Sequence, residues 1–411
     1  MGTNLTPDIR RSLRVRVQQI VRQTLGRART LVFLSRVHLW FTILSFAQLR
    51  TYGFRTRFID ARRIGHLIWQ TENLAKSLES ASRTDFCLLI WGPVSNEFTA
   101  GRLRDYCNKQ GIISLQTASR RVASVIGKRG SRLCGLPLLE PVPGLETFVM
   151  ERPTIFHLTR EDSQECVRFL RSIGFNPDLP FVCVHNRTAA YLLNHLDYED
   201  SSRNDYRNFP IEDMRPAIKS LVDAGLGVIR TGRSSDDGLD DSHQWLLDLT
   251  KYPNYPGALD HFVGANALFY LGADSGGVEF SAVSSTPPAF VNYTSFGILG
   301  QLRPSGTLPL LPQMVICGRC QCVISLPHSF AMGLGVINSV TQLEQRGVSL
   351  RKSRPDEIEA LAAECLRIVR PRTHEHARQE VGSDDAIRGL NEEFRSIIKE
   401  ETGLTTSPSL Q

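Results

Sequence analysis

The chain has 411 residues, of which 41% are hydrophobic, and a net charge of +6. A chain of this length usually folds around more than one hydrophobic core, so a single small domain is not expected. It has no run of eighteen uncharged apolar residues, so no membrane-spanning helix is expected either. The composition predicts a soluble protein of two domains.

The positive charge is concentrated in an amino-terminal leader. Residues 1–63 contain 13 arginines, no lysine and two acids, which gives them a charge of +11 and leaves −5 on the rest of the chain. The apolar residues of 8–30 recur at helical spacing with arginines on the other face, as in a basic amphipathic helix. We expect residues 1–50 to form this leader and to attach a cytoplasmic protein to the anionic inner face of the cell membrane.

Three other roles for the leader stay open. The first is packing against the body of the protein, and the second is that of an arginine-rich mitochondrial transit peptide. The third is nucleic-acid binding, but few aromatic residues are interleaved with the arginines and no recognised module is present. Nucleic acid is therefore not among the expected partners.

The nine cysteines, an odd number, lie mostly in apolar runs such as 86–91 and 181–185. This pattern is typical of small buried side chains in a reducing compartment and not of a disulfide framework. The cluster Cys317, Cys320 and Cys322 contains one metal-like pair, but no second Cys or His pair follows at zinc-site spacing. No metal site is predicted there, nor in the acidic loop 234–244, which lacks EF-hand spacing.

Residues 51–150 are expected to form a Rossmann-like acceptor domain. An apolar strand at 85–93 follows a helical segment, which is the beginning of a βαβ unit. The turn at 62–67 has no GxGxxG pattern, so no dinucleotide cofactor is predicted. In this turn Gly65 would let a ligand approach the backbone, and His66 is either a general acid or base, a substrate hydrogen-bond partner or a structural residue.

A proline-rich connector at 138–153 leads to a second Rossmann-like domain at 151–375, which a helix and tail at 376–411 follow. In this second domain a buried strand is predicted at 181–185, and it runs directly into His185 and Arg187. The fork of donors on an arginine matches phosphate oxygens, and ligands of parallel sheets bind beyond the carboxyl ends of the strands. An isolated arginine after a strand is more often a surface charge.

The next unit of this domain strengthens the case for an anion site. A helix is predicted at 210–224, and a strand at 227–229 then delivers Arg230, followed by Gly232. Two successive strands are thus predicted to end in arginine at one edge of the sheet. Such an edge would form an electrostatic cradle for a diphosphate.

A third unit adds polar groups of another kind. A strand predicted at 267–271 leads into Asp274, Ser275 and Gly276 at the start of a short helix. Free N–H groups there would meet an anion, and the carboxylate would accept a hydrogen bond from a ribose or sugar hydroxyl. The alternative interpretation of this motif is an ordinary helix cap.

Four segments together resemble a family of bacterial surface-carbohydrate glycosyltransferases. They are RIGHL at 63–67, FVCVHNRTAAYLL at 181–193, the segment 205–232 and GADSGG at 272–277 with PPAFVN after it. The likeness covers about residues 58–345, and its HxR and DSG positions also resemble, more distantly, the donor half of fucosyltransferases and heptosyltransferases. The resemblance implies an α/β protein of the GT-B kind, with two Rossmann-like domains facing a central cleft.

The resemblance also implies roles for single residues. In such relatives the arginine of HxR contacts the donor diphosphate, which gives this role to Arg187, and Gly65 and His66 would face the cleft from the other domain. The family more usually has an acidic residue at Thr188 and an acidic or small residue at Arg233, so the sugar preference does not follow from the likeness. The donor-site candidates are His185, Arg187, Arg207, Asn208, Arg230, Gly232, Asp274, Ser275 and Gly276.

These features predict metal-independent transfer of a sugar from a nucleotide-sugar donor to a glycan or lipid-linked acceptor in surface-polysaccharide biosynthesis. Arg187 and Arg230 would neutralise the leaving diphosphate, while His66, or Glu97 as the alternative base, would activate the acceptor hydroxyl. No cofactor is expected beyond the donor, which is a substrate. Two rivals stay open: a nucleotide-sugar epimerase of the same fold, and a non-catalytic carbohydrate- or nucleotide-binding protein.

Overall fold

The computed structural model describes ten ranges of the chain, which fall into two compact units, Met1–Leu145 and Glu146–Gln411. The predicted leader, the connector at 138–153 and the tail at 376–411 lie outside the described residues. The described ranges are 55–80, 86–91, 94–117, 154–190, 205–233, 238–239, 243–284, 286–294, 308–337 and 339–369.

Within its described residues, the first unit is a three-stranded parallel sheet with two helices. Asn96 caps the second helix by accepting a hydrogen bond from Thr99 N at 2.9 Å, and Gly111 ends it in the left-handed conformation at φ +69°. Its elements are β1 (Arg55–Asp60), α1 (Ile64–Ser80), β2 (Phe86–Trp91), α2 (Glu97–Gln110) and β3 (Ile113–Thr117), with the strands in the order β1-β2-β3.

One sequence interpretation in this unit needs correction. Gly65 and His66 were expected in a turn, but they lie in the first turn of α1, which begins at Ile64. The turn itself is shorter, at 61–63. Buried Ile59 and Leu67 lie on either side of this turn, and both belong to the apolar core of the unit, so burial of Leu67 favours an early helix start.

The second unit contains a five-stranded parallel sheet. Its chain enters at the central strand, moves to one edge and then returns to the other side of the central strand. In open α/β sheets such a reversal creates a crevice beyond the carboxyl ends of the two strands that flank it. The strands are β4 (Phe181–His185), β5 (Gly227–Arg230), β6 (Leu246–Asp248), β7 (Tyr270–Ala273) and β8 (Pro288–Val291), in the order β6-β5-β4-β7-β8.

The described residues of this unit also include helices and a separate pair of antiparallel strands. No helix within the described residues has the length and apolar character needed to cross a membrane. The helices are α3 (Arg160–Ser172), α4 (Arg215–Asp223), α5 (Leu259–Asn266), α6 (Glu279–Ala282), α7 (Leu326–Ala331), α8 (Val340–Gln345) and α9 (Pro355–Val369), and the antiparallel pair consists of β9 (Met314–Cys317) and β10 (Val348–Arg351).

Local sequence explains where several of these elements begin. Thr159 and Asp162 form a capping box at the start of α3, since Asp162 N donates to Thr159 Oγ1 at 3.1 Å and Thr159 N donates to Asp162 Oδ2 at 2.7 Å. Strands β7 and β8 are buried along their whole length, as their continuous apolar runs predict, and β5 is buried along its whole length including Arg230. The helix expected from 210 begins instead as a 3₁₀ turn at Ile211–Met214, and α4 follows it.

The described cysteines are free and form two groups. Burial raises the pKa of four thiols to about 12, whereas those at the turn after β9 lie at the surface or close to it. Within the described ranges, no three side chains of His, Cys, Asp or Glu are grouped to hold a metal ion. The buried cysteines are Cys107, Cys166, Cys183 and Cys365, and those at the turn are Cys317, Cys320 and Cys322.

Candidate functional site

The crevice of the second unit lies between β4 and β7, beyond their carboxyl ends. Strands β4 and β5 pair in parallel, as do β4 and β7, so the residues that follow all three strands meet at one edge of the sheet. The residues predicted at the donor site follow these strands or belong to the segment 205–209. The order of the strands therefore brings the candidate residues at the ends of β4, β5 and β7 to one edge of the sheet.

Close packing between β4 and β7 depends on a glycine. A Cβ atom on Gly272 would lie 2.0 Å from the carbonyl oxygen of His185, which is far inside any permitted contact. Gly277 plays a similar part beside the imidazole ring, because its Cβ would lie 3.2 Å from His185 Nε2. These glycines let the loop after β7 lie directly against the end of β4.

His185 is neutral and supports the loops around it. Its Nδ1 lies 2.9 Å from the carbonyl oxygen of Thr231, and because a carbonyl only accepts, Nδ1 carries the proton. The pKa of His185 is lowered to about 4, chiefly by loss of hydration on burial and also by the positive charges of Arg230 and Arg187, against the opposing effect of the Thr231 hydrogen bond. His185 therefore presents no positive charge to a phosphate at neutral pH.

Arg187 is held by the segment 205–209. Its Nη1 donates to Oδ1 of Asn208, whose Nδ2 donates to Oδ1 of Asp205 at 2.7 Å. The backbone repeats the link, because Phe209 N donates to the carbonyl oxygen of Arg187 at 3.1 Å. The end of β4 and this segment thus form one connected surface.

Arg207 reaches the same edge from the segment 205–209 and pairs with Asp274. Nη2 of Arg207 lies 3.1 Å from Oδ2 of Asp274 and also donates to the carbonyl oxygen of that residue. Nε of Arg207 is buried and has no hydrogen-bond partner within the described part of the chain. Because a buried donor without an acceptor is costly, a ligand oxygen at this position would relieve that cost.

Ser275 and Gly276 form a helix cap, as in the plainer interpretation of this motif. Ser275 is extended, and its Oγ accepts a hydrogen bond from Gly277 N at 3.3 Å, at the start of the 3₁₀ turn Gly276–Val278. The serine hydroxyl is thus engaged by its own backbone. A role of Ser275 in ligand binding stays a prediction.

Arg230 requires a correction. The sequence placed it in a phosphate cradle beside Arg187, but its side chain is only 1% exposed. Its Nη1 donates to Oδ2 of Asp248 at 2.9 Å, while Nη2 and Nε donate to Oδ1 of Asn186 at 2.8 and 3.2 Å. Since its guanidinium is enclosed by an acid from β6 and an amide from β4, Arg230 lies beneath the site and not on its surface.

Gly232 and Arg233 continue the chain beyond Arg230. Gly232 has φ +144°, a conformation that other residues rarely adopt. Nη2 of Arg233 lies 3.1 Å from Oδ2 of Asp260, and its guanidinium lies 4.3 Å from the ring centroid of Tyr255, whose hydroxyl donates to Oδ1 of Asp260 at 2.6 Å. Arg233, where the family that the sequence resembles more usually has an acidic or small residue, therefore contacts both a carboxylate and an aromatic ring in this chain.

The remaining candidates lie in the first unit. His66 is half-buried in the first turn of α1. Glu97 is the first residue of α2, its side chain is 74% exposed, and it forms an ion pair with Arg104 at 3.4 Å. An acid at a helix N-terminus is favoured by the helix dipole alone, so the roles of His66 and Glu97 as bases stay predictions.

Two residues that organise the site, Asn186 and Asp248, were not among the candidates predicted from the sequence. Asn186 was visible as the middle residue between His185 and Arg187, but its burial was not. Asp248 directly follows two leucines, Leu246 and Leu247. An acid at the end of a short apolar run was the only signal available for it.

No family model and no curated protein matches the sequence. Among solved structures, a family 9 glycosyl transferase from Veillonella parvula is 11% identical, with a TM-score of 0.44 over 77% of this chain and 97% of that one. Escherichia coli ADP-heptose LPS heptosyltransferase II is 11% identical, with a TM-score of 0.42 over 75% and 98%. The dodecameric iron-containing heptosyltransferase TibC, in complex with ADP-D-β-D-heptose, is 11% identical, with a TM-score of 0.38 over 77% of each chain. At such low similarity, function has to be argued from the residues of this chain.

Proposed function

We propose that the chain is a glycosyltransferase of the GT-B kind that binds a nucleotide-sugar donor at the crevice between β4 and β7. It would transfer the sugar to a glycan or lipid-linked acceptor in surface-polysaccharide biosynthesis. The observation that carries this proposal is the convergence of Arg187 and Arg207, from two segments of the connection after β4, at the edge of the sheet where Asp274 lies and the strand order reverses.

The chemistry of these groups suits a sugar diphosphate. Two guanidinium groups offer charge-assisted hydrogen bonds to phosphate oxygens, and Nε of Arg207 is a donor that lacks an acceptor within the described residues. As the bond between sugar and phosphate breaks, negative charge develops on the leaving diphosphate, where fixed positive groups stabilise it most. In this mechanism the arginines supply the charge that a metal ion supplies in other transferases. The carboxylate of Asp274 suits a sugar or ribose hydroxyl.

A thermal-shift screen tests the donor site directly. The panel would contain ADP, UDP, GDP and CDP, their sugar conjugates including ADP-heptose, and inorganic pyrophosphate. A ligand that binds only the folded chain raises its unfolding temperature, and we expect one nucleotide series to do so. If no nucleoside diphosphate or conjugate stabilises the chain, the proposal is wrong.

Donor turnover then separates transfer from its two rivals. A glycosyltransferase consumes the donor faster when acceptor glycan is added, whereas an epimerase interconverts the donor without any acceptor. Tight nucleotide binding with no donor consumption under either condition would favour a non-catalytic binding protein. In the same assays His66→Ala and Glu97→Gln would show which side chain activates the acceptor, as a loss of turnover with donor binding retained.

A further inference from the structure

We infer that Arg230 and Asp248 are positioning residues: buried beneath the candidate site, they fix through Asn186 the two segments that carry Arg187 and Arg207. This inference rests on the proposed function for its effect on ligand binding. The structural link itself does not depend on that function. Neither Arg230 nor Asp248 needs to touch the ligand in this role.

The ion pair at the base of this link is enclosed and well anchored. The side chains of Arg230 and Asp248 are 1% and 3% exposed, and Nη1 lies 2.9 Å from Oδ2. Oδ2 of Asp248 also accepts from Leu239 N at 2.9 Å, while Oδ1 accepts from Thr250 N at 3.0 Å and from Thr250 Oγ1 at 2.6 Å. With both oxygens engaged, the carboxylate holds the guanidinium in one orientation.

Asn186 transmits this orientation to the surface. Its Oδ1 accepts two hydrogen bonds from Arg230, so its amide group faces away from that residue and Nδ2 donates to the carbonyl oxygen of Phe209 at 3.1 Å. Phe209 N in turn donates to the carbonyl oxygen of Arg187 at 3.1 Å. The peptide groups of Phe209 are therefore tied on one side to Asn186 and on the other to Arg187.

This arrangement explains why a charged pair is buried here at all. A buried ion pair seldom stabilises a fold more than apolar residues of similar volume would, because removing its charges from water is costly. The guanidinium of Arg230, however, orients the amide of Asn186 just beyond β4 by donating to it, and an apolar side chain could not do this. The pair is thus better explained by the geometry it imposes on the loops than by stability.

Asn186→Asp and Asn186→Ala test the link. Aspartate still accepts from Arg230 but cannot donate to the Phe209 carbonyl, and alanine makes neither contact without adding charge. We expect both variants to speed hydrogen exchange at the Phe209 amide and to weaken binding of inorganic pyrophosphate about tenfold, the effect of misplacing one charge-assisted hydrogen bond. The matched control is Thr250→Ala, which removes a hydrogen bond from the same carboxylate and should change neither quantity.

The two readouts fail in distinguishable ways. If the wild-type chain binds neither pyrophosphate nor any nucleoside diphosphate, the proposed function fails, while faster exchange at Phe209 in the Asn186 variants still supports the positioning link. If both Asn186 variants fold and exchange at Phe209 at the wild-type rate, the inference is overturned.

Asp248→Asn gives a second test through the sign of its effect. Were Arg230 a direct ligand of the diphosphate, removing its counter-charge would strengthen pyrophosphate binding. A positioning role predicts weaker binding, because Arg230 loses the carboxylate that orients it. Tighter binding by a folded Asp248→Asn variant would overturn the inference, and the Asn186 variants decide the matter if this variant does not fold.

Discussion

Arg187 and Arg207 reach the candidate site with different partners. Arg187 donates to the neutral amide of Asn208, whereas Arg207 pairs with the carboxylate of Asp274. A phosphate oxygen in place of the neutral Asn208 oxygen would turn this contact into a charge-assisted hydrogen bond, so Arg187 is suited to bind the incoming diphosphate.

We therefore predict that Arg187→Ala weakens binding of the preferred nucleoside diphosphate at least about tenfold, because charge-assisted hydrogen bonds to phosphate are lost. Isothermal titration calorimetry measures the change. The control is Arg171→Ala, which removes the same charge from an exposed ion pair with Asp178 in the same unit. Equal weakening by both variants would show that net charge alone matters.

A pH-dependent contribution to stability is expected from His185. Its pKa is lowered from 6.5 to about 4 in the folded chain, so folding favours the neutral ring. The contribution is present above about pH 6.5 and is lost as the pH falls towards 4, up to roughly 3 kcal/mol. Urea unfolding of wild type and His185→Gln across this range should show a steeper loss in the wild type. Parallel curves would contradict the prediction.

Among single residues, the sequence could predict which side chains stand at strand ends but not which of them are buried. The predicted strands placed both Arg187 and Arg230 beyond a strand end, and they were given the same role. In the structure Arg187 lies past the end of β4, whereas Arg230 is the last residue of β5, where β6 places Asp248 beside it. A pairing between strands is not visible in a single sequence. Arg207, in contrast, entered only through the family likeness.

Among secondary-structure elements, those with buried strands or capping signals were the most predictable. The strand 181–185 was found with its observed bounds because all its residues but the last are buried, which gives a continuous apolar run. The strand expected at 267–271 lies at Tyr270–Ala273, since the apolar run begins before the first residue paired with β4. The antiparallel pair of β9 and β10 was missed, because two strands of four residues, far apart in the sequence, leave little periodicity.

The contact between β4 and β7 should be highly sensitive to substitution. In Gly272→Ala the new Cβ would overlap the His185 carbonyl and push the two strands apart, at an expected cost of about 3 kcal/mol or more. Chemical denaturation measures this loss. In the control Gly101→Ala, within α2, the new methyl group meets no atom within 4 Å and should be neutral or stabilise by about 0.5–1 kcal/mol. An unchanged free energy of unfolding for Gly272→Ala would refute the packing argument.

At the scale of the whole molecule, the sequence predicted an α/β protein, and the structure has a parallel sheet in each unit. The order β6-β5-β4-β7-β8 could not be read from the sequence, because strand order depends on which crossover connections pass on which side of the sheet. That order is what brings the ends of β4 and β7 together at one crevice. The proposed function thus depends on topology as much as on motifs.

The basic leader, outside the described residues, leads to a prediction for the full chain. Deleting residues 1–50 should release the protein from anionic vesicles, because residues 1–63 hold 13 arginines against two acids and most of these arginines lie in the leader. Vesicle sedimentation measures binding, and neutral vesicles serve as the control. Circular dichroism should show that the fold is retained. Equal binding by the truncated chain would refute the role of the leader.

The reactivity of the buried cysteines can report separately on the unfolding of each unit. Cys107 lies in the core of the first unit, while Cys166, Cys183 and Cys365 are buried in the second. A thiol with a pKa near 12 and no solvent contact reacts with an alkylating reagent only after local or global unfolding. Alkylation rates followed by peptide mass spectrometry would therefore time the opening of each unit within one intact chain, without any engineered label.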